Sequence, residues 1–154
     1  MARVGAPSGS IRQVPMRVHF IPAHGWSVIS DIDDTIKISN VRDRRALIEA
    51  TFCEPFRAVP EMASIYRGWA NSGAQFHYVS ASPWQLYVCL NEFLDTNRFP
   101  AGSFHMKTFR LKDSSVLQMF GPQTRYKSAE IAALFKRTPD RRFERQLMGW
   151  LLGM

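Results

Sequence analysis

The chain has 154 residues, 45% of them hydrophobic, which is enough for one domain with a real core and leaves little room for a second. Its 20 Lys and Arg against 13 Asp and Glu give a formal charge of +7, a field that attracts phosphates, acidic lipid surfaces or nucleic acid without choosing among them. No run approaches the roughly 20 apolar residues that span a bilayer, and the amino-terminal stretch lacks the apolar segment of a secretory signal, so a cytoplasmic protein is expected, with peripheral contact at membranes.

Residues 1–15 carry Gly5, Pro7, Ser8, Gly9 and Ser10 and no apolar period, the composition of a flexible lead-in; 16–154 then form one domain. Residues 16–21 read as an edge strand ended by Pro22 and Gly25. The run 26–32 is short, apolar and β-branched, as expected of a strand buried in a sheet and ending at the acidic cluster Asp31-Ile32-Asp33-Asp34-Thr35. Helices are expected over 43–52 and 59–69, the second placing Met62, Ile65, Tyr66 and Trp69 on one face and closed by Gly73. A second strand covers 75–80. Ser82-Pro83 then reads as a helix start, with Ser82 as N-cap and Pro83 in the first turn, and the helix turns Leu86, Leu90, Phe93 and Leu94 inward before ending near Asn97. A third strand over 103–109 and a helix over 126–135, with Ile131, Leu134 and Phe135 as its apolar positions, complete the series. Strands alternating with helices predict an α/β fold on a mainly parallel sheet, with ligands bound beyond the carboxyl ends of the strands, where Asp31 and Ser80 fall. Cys53 and Cys89, both in apolar surroundings, read as buried free thiols.

Asp31 and Asp33 lie two apart at a strand end, so in extended backbone their carboxylates project the same way. Such a pair is costly unless a cation or shared proton compensates, and magnesium (Mg2+) prefers oxygen ligands while also holding a substrate phosphate. One carboxylate of such a pair is suited to attack phosphorus, the other to protonate the leaving oxygen and then activate water, and Thr35 offers a hydroxyl. A calcium loop is a weak competitor, because Ile36 stands where that loop needs Gly. A turn capped by Asp side chains is the plainer alternative. Ser80 and Ser82 present hydroxyls and backbone donors suited either to capping or to an anion. Lys127 taken alone is a solvated helix residue. Trp84 reads as a packing residue first and a pocket-lining one second. The basic residues Arg42, Arg44, Arg45, Lys107, Arg110 and Lys112 suit an acidic membrane or plain solvent equally. Nucleic acid is not expected, since charge is its only signal.

The segments from Ser27 to Lys37 and from Phe76 to Tyr87 resemble the first and second motifs of the actin-patch-associated phosphatidate phosphatases, members of the haloacid-dehalogenase-like superfamily. Residues 100–104 and Lys127-Ser128-Ala129-Glu130-Ile131 resemble later segments of that family, and the spacing fits. The resemblance implies a Rossmann-like domain that removes phosphate from phosphatidate, giving diacylglycerol through an aspartyl-phosphate. Under it Asp31 is the nucleophile and a magnesium ligand, Asp33 the acid/base whose backbone carbonyl also binds the metal, and Lys127 the stabilising cation. Ser80 binds the phosphoryl group, with Thr35 and Ser82 beside it.

After Phe143 the family pattern continues with an apolar strand and a Gly-Asp-Ser-Gly type loop whose Asp completes the metal site. This chain instead has Glu144-Arg145-Gln146 and no Asp after Asp140. The expectation is a last strand and loop that are truncated or altered, an unpaired neighbouring edge and impaired activity. A non-catalytic phosphate- or lipid-binding module and a phosphatase of a soluble phosphoester are the alternatives.

Overall fold

The computed structural model describes residues 2–5, 11–14, 17–33, 35–38, 56–108 and 123–146, and the side chains of all of these except 2–5, 11–14, 123–125 and 145–146. The expected helix over 43–52 lies outside them. The buried apolar run becomes strand β3, Gly25–Asp31, and the next apolar run becomes β6, Gln75–Pro83. With β7 (Gly102–Lys107) and β8 (Arg141–Gln146) they form a four-stranded sheet in the order β7-β6-β3-β8, every neighbouring pair parallel. Helix α1 (Met62–Asn71) precedes β6, a 3-10 turn (Trp84–Leu86) and α2 (Tyr87–Thr96) link β6 to β7, and α3 (Gln123–Arg137) precedes β8. Two small antiparallel pairs complete the described elements: β1 (Ala2–Gly5) with β2 (Ile11–Val14), inside the lead-in, and β4 (Lys37–Ile38) with β5 (Arg57–Ala58).

Alternation along β3 sends Val28 to one face and Ser27, Ile29 and Asp31 to the other. On the first face Val28, Phe76 and Tyr78 pack with Met62 and Tyr66 of α1 and Leu90, Phe93 and Leu94 of α2; on the second, Ile29 and Val79 pack with Ile131 and Leu134 of α3. Helices therefore cover both faces, which is why β3 reads as a nearly continuous apolar run. The fold is a Rossmann-like α/β sheet. Its strand order reverses at β3, which stands between β6 and the last strand, β8, and the crevice at the carboxyl end of that reversal is where open sheets of this kind bind ligands.

Several expectations are corrected. The chain at 17–21 is not a strand: Val18 and Phe20 stay exposed and Arg17 pairs with Asp95 of α2 at 3.3 Å. The last strand is present and no edge of β3 is bare. Its Arg-Arg-Phe-Glu-Arg-Gln sequence hides it, since a ladder is made by backbone and only Phe143 supplies an apolar side chain to the α3 face. Ile65 of α1 is 45% exposed rather than part of the inward face. Ser82 is not a helix cap: Pro83 adopts φ −69°, ψ 152°, an extended conformation that carries β6 on to Pro83. Cys89 is disulfide-bonded, so it is not a free thiol; local apolar context cannot report the long-range proximity a disulfide needs.

The amino end of β3 is held by one side chain. Arg141, 6% exposed, donates from Nε to Ser27 Oγ (2.8 Å), from Nη1 to the carbonyls of Pro22 (2.6 Å) and His24 (2.7 Å), and from Nη2 to that of Trp26 (2.6 Å). Gly25 makes room for it: φ is +116°, and a Cβ there would sit 3.3 Å from both terminal guanidinium nitrogens. Replacing Arg141 by Met should leave these acceptors without their donor and cost about 2–4 kcal/mol in urea unfolding. A loss within error of zero would show that water replaces the guanidinium.

From Arg141 the hydrogen bonds continue across the α3 face. Ser27 Oγ lies 3.2 Å from His77 Nε2, His77 Nδ1 2.8 Å from Ser103 Oγ, and Ser103 Oγ 3.0 Å from His105 Nε2. Burial pushes His77 down to about 4, with His105 and Arg141 adding repulsion, whereas the unfolded imidazole titrates at about 6.5. Between these values the unfolded chain binds more protons than the native one. The contribution is therefore complete above the unfolded value and is lost as pH falls toward about 4, a span of roughly 3 kcal/mol. Denaturant unfolding between neutral pH and pH 4.5 should show this decline, with a shallower slope in His77→Gln; an undiminished slope in the variant would assign the decline to other groups.

Candidate active site

The carboxyl end of β3 delivers Asp31 onto the α3 face, where it is 4% exposed. Its Oδ2 accepts a 2.7 Å hydrogen bond from Lys127 Nζ, itself 5% exposed on the second turn of α3, and its Oδ1 accepts from the Ile32 amide at 2.9 Å. Burial pushes the Asp31 carboxyl upward; Lys127 and the Ile32 amide oppose this and Asp33 adds to it, for a net rise. The backbone beneath is also fixed. Ser30 Oγ donates to the Asp31 carbonyl at 2.7 Å and lies 2.9 Å from the Tyr66 hydroxyl, so α1 braces the same strand end that α3 neutralises.

Beyond β3 the chain turns back, the amides of Ile36 and Lys37 both donating to the Ile32 carbonyl. This turn returns Lys37 to Asp33, with Nζ 2.7 Å from Oδ1 and 4.4 Å from the centre of the Phe56 ring. The other oxygen of Asp33 faces Ser80 Oγ at 3.2 Å and Ser82 Oγ at 3.4 Å, while the Ser82 amide donates to Ser80 Oγ at 3.0 Å. Burial alone would raise the Asp33 carboxyl, but Lys37, the Ser80 hydroxyl and Lys127 outweigh it and hold the group below its ordinary value. The two carboxylates are thus pushed in opposite directions.

Of the sequence-predicted residues, Asp31 meets Lys127, and Asp33 meets Ser80 and Ser82. Thr35 is also buried, 3% exposed, and its Oγ1 has no hydrogen-bond partner among the described residues. Asp34 lies outside them. Sequence reasoning missed Lys37, because a lysine four residues past an aspartate signals nothing unless the turn between them is known. It also missed Tyr66, read only as a packing residue. A shallow cleft lined by Gly25, Trp26, Asp140 and Phe143 lies at the amino ends of β3 and β8, the opposite edge, and contains none of the predicted site residues.

The donor set fits magnesium, with oxygen donors from Asp31 and Asp33. Asp31 and Asp33 keep oxygen lone pairs beyond those used by the lysines, and this ion commonly takes one or two protein carboxylates, leaving its other positions to water and a phosphate. Among the described residues no third acidic, histidine or cysteine side chain joins them, and no helix is long and apolar enough to cross a membrane.

Comparison with known proteins places this chain in a family. Residues 26–145 match the family model described as phosphatidate phosphatase APP1, catalytic domain. The chain is 29% identical over 137 residues to an uncharacterized protein of Schizosaccharomyces pombe, covering 86% of this chain and 22% of that one. It is also 29% identical over 131 residues to phosphatidate phosphatase APP1 of Saccharomyces cerevisiae, covering 81% of this chain and 22% of the relative. The chain thus spans about a fifth of the length of these curated relatives.

Removing one member of a buried ion pair leaves the other uncompensated, so Lys127→Met should cost about 3–5 kcal/mol at neutral pH in the presence of a chelator. In the variant the Asp31 pKa rises further above its unfolded value, so acidification favours the native state and the deficit relative to wild type should shrink toward pH 5. Urea unfolding at several pH values reads this directly; a deficit constant with pH would mean that Asp31 is not left charged and buried.

Proposed function

Because the chain belongs to the family of the phosphatidate phosphatase APP1 catalytic domain, we propose that it is a magnesium-dependent phosphomonoesterase that converts phosphatidate to diacylglycerol. The observation that carries the reading is Asp31, held at 2.7 Å by Lys127 at the carboxyl end of β3 and followed by Asp33 with two serine hydroxyls against it.

Asp31 attacks phosphorus through a carboxylate oxygen, the bond from phosphorus to the glycerol oxygen breaks, and that oxygen leaves with a proton from Asp33. Asp33 then takes a proton from water, the resulting hydroxide attacks phosphorus, and the bond to Asp31 breaks to release inorganic phosphate. Lys127 neutralises charge on Asp31 and on the transferring group. Thr35, Ser80 and Ser82 offer hydroxyls to the phosphoryl oxygens. Lys37 keeps Asp33 ionised at rest; the approach of an anionic phosphate opposes that pull and brings Asp33 toward the proton-carrying form the first step needs. Bound magnesium, which the Asp31 carboxylate and the Asp33 backbone carbonyl would hold, would supply charge neutralisation at the phosphate.

One observation favours a second reading, a phosphate- or lipid-binding module without turnover: among the described residues no third acidic, histidine or cysteine side chain joins Asp31 and Asp33. Phosphate release from phosphatidate, with and without magnesium, decides between them. Under the enzyme reading Asp31→Asn should lower turnover about a thousandfold or more, with Lys136→Ala unchanged. Wild-type protein that binds phosphatidate vesicles and releases no phosphate would establish the module instead, and release from a soluble monoester alone would move the substrate away from lipid.

A further inference from the structure

The site residues are deep while apolar side chains beside them are not. Asp31 is 4% exposed and Ser80 fully buried, yet Trp84, two residues after Ser82, is 42% exposed, Val88 is 69% exposed and Ile38, next to Lys37, is 47% exposed. Trp84 and Val88 are one helical turn apart on the continuous helical run formed by the 3-10 turn and α2, so they share a face. The indole is braced from behind: its ring centre lies 5.7 Å from that of Tyr87, which packs edge-on against Phe104 at 5.1 Å, and Phe104 lies 5.6 Å from core Tyr78. A large amphipathic ring held rigidly in solvent is an anchor rather than a loosely packed core residue. Glu92, one turn beyond Val88, is exposed and charged, which confines an apolar contact to the start of the helix.

We propose that Trp84, Val88 and Ile38 form the face on which this chain docks to an anionic lipid bilayer, bringing the carboxyl end of β3 against the headgroup plane. The inference rests on the phosphatidate reading: a phosphorus atom at the headgroup level reaches Asp31 only if the edge of the sheet around it meets the lipid surface. Tryptophan favours that interface, where its ring is half apolar and its N–H is wet. Charge complements it. The chain carries +7, and Lys107 stands opposite Pro83 in the β6–β7 register. The face is continuous with the candidate site, since Ser82 and Lys37, the neighbours of its apolar residues, both contact Asp33.

The test is co-sedimentation of the full chain with vesicles of phosphatidylcholine containing phosphatidylserine, an anionic lipid with no phosphomonoester. Trp84→Ala/Val88→Ala should partition about tenfold or more weakly than wild type while hydrolysing a soluble phosphomonoester at the wild-type rate. Trp84→Phe, which keeps an apolar aromatic ring at this position, guards against a fold defect and should recover most of the binding. Equal partitioning of wild type and the double variant overturns the proposal, as does a wild-type dimer that the double variant dissolves, which would give this face to a second copy of the chain. Partitioning is read without catalysis, so a chain that binds through Trp84 and releases no phosphate removes the hydrolase reading and leaves the docking face standing.

Discussion

The buried pair between Asp31 and Lys127 joins the two halves of this structure. Asp31 ends the central strand β3, and Lys127 lies in a helix separated from it by 95 intervening residues and by the whole of the first face of the sheet. An isolated carboxylate at 4% exposure would be driven to neutralise by its own desolvation. With Lys127 at 2.7 Å it can keep a charge where water is nearly excluded. The same contact fixes how α3 sits over the carboxyl edge, since the apolar seam of Ile131 and Leu134 against Ile29 and Val79 would tolerate sliding that an ion pair does not. Position and charge thus come from a single interaction.

Beside it, Asp33 solves the like-charge problem differently. Its cation, Lys37, comes from four residues downstream through a tight turn and leans on Phe56, so this second pair is local and partly exposed where the first is long-range and buried. Two carboxylates next to one another repel; giving each its own ammonium group allows both to persist, and biases one upward and the other downward.

The parts of this architecture legible in the sequence are those where side-chain chemistry dictates backbone. β3 and β6 were readable because strands buried on both faces must be apolar, and Leu90, Phe93, Leu94, Ile131 and Leu134 because an inward helix face repeats every three or four residues. The acidic cluster was legible because so many carboxylates at a strand end demand a reason. What stayed hidden depends on distance in space. β8 is charged along most of its length and is held by backbone pairing and by Arg141; Lys37 and Tyr66 acquire their roles from a turn and a helix packing that no local pattern encodes. Pro83 misled because it suits a helix start and an extended residue equally well.

Arg141 closes a contact between chain positions more than a hundred residues apart, and this has a temporal side. During synthesis β3 emerges early and can take up β6 and then β7, but its other side stays open until β8 has left the ribosome. Until then the Ser27 hydroxyl and the carbonyls of Pro22, His24 and Trp26 have no guanidinium, and an edge of unpaired backbone N–H and C=O groups waits for a strand that is itself too charged to collapse onto the wrong surface. A basic last strand that is poor at finding partners through hydrophobic contact, and good at one pre-shaped cradle of carbonyls around Gly25, lowers the chance that the nascent sheet closes on something other than its own end.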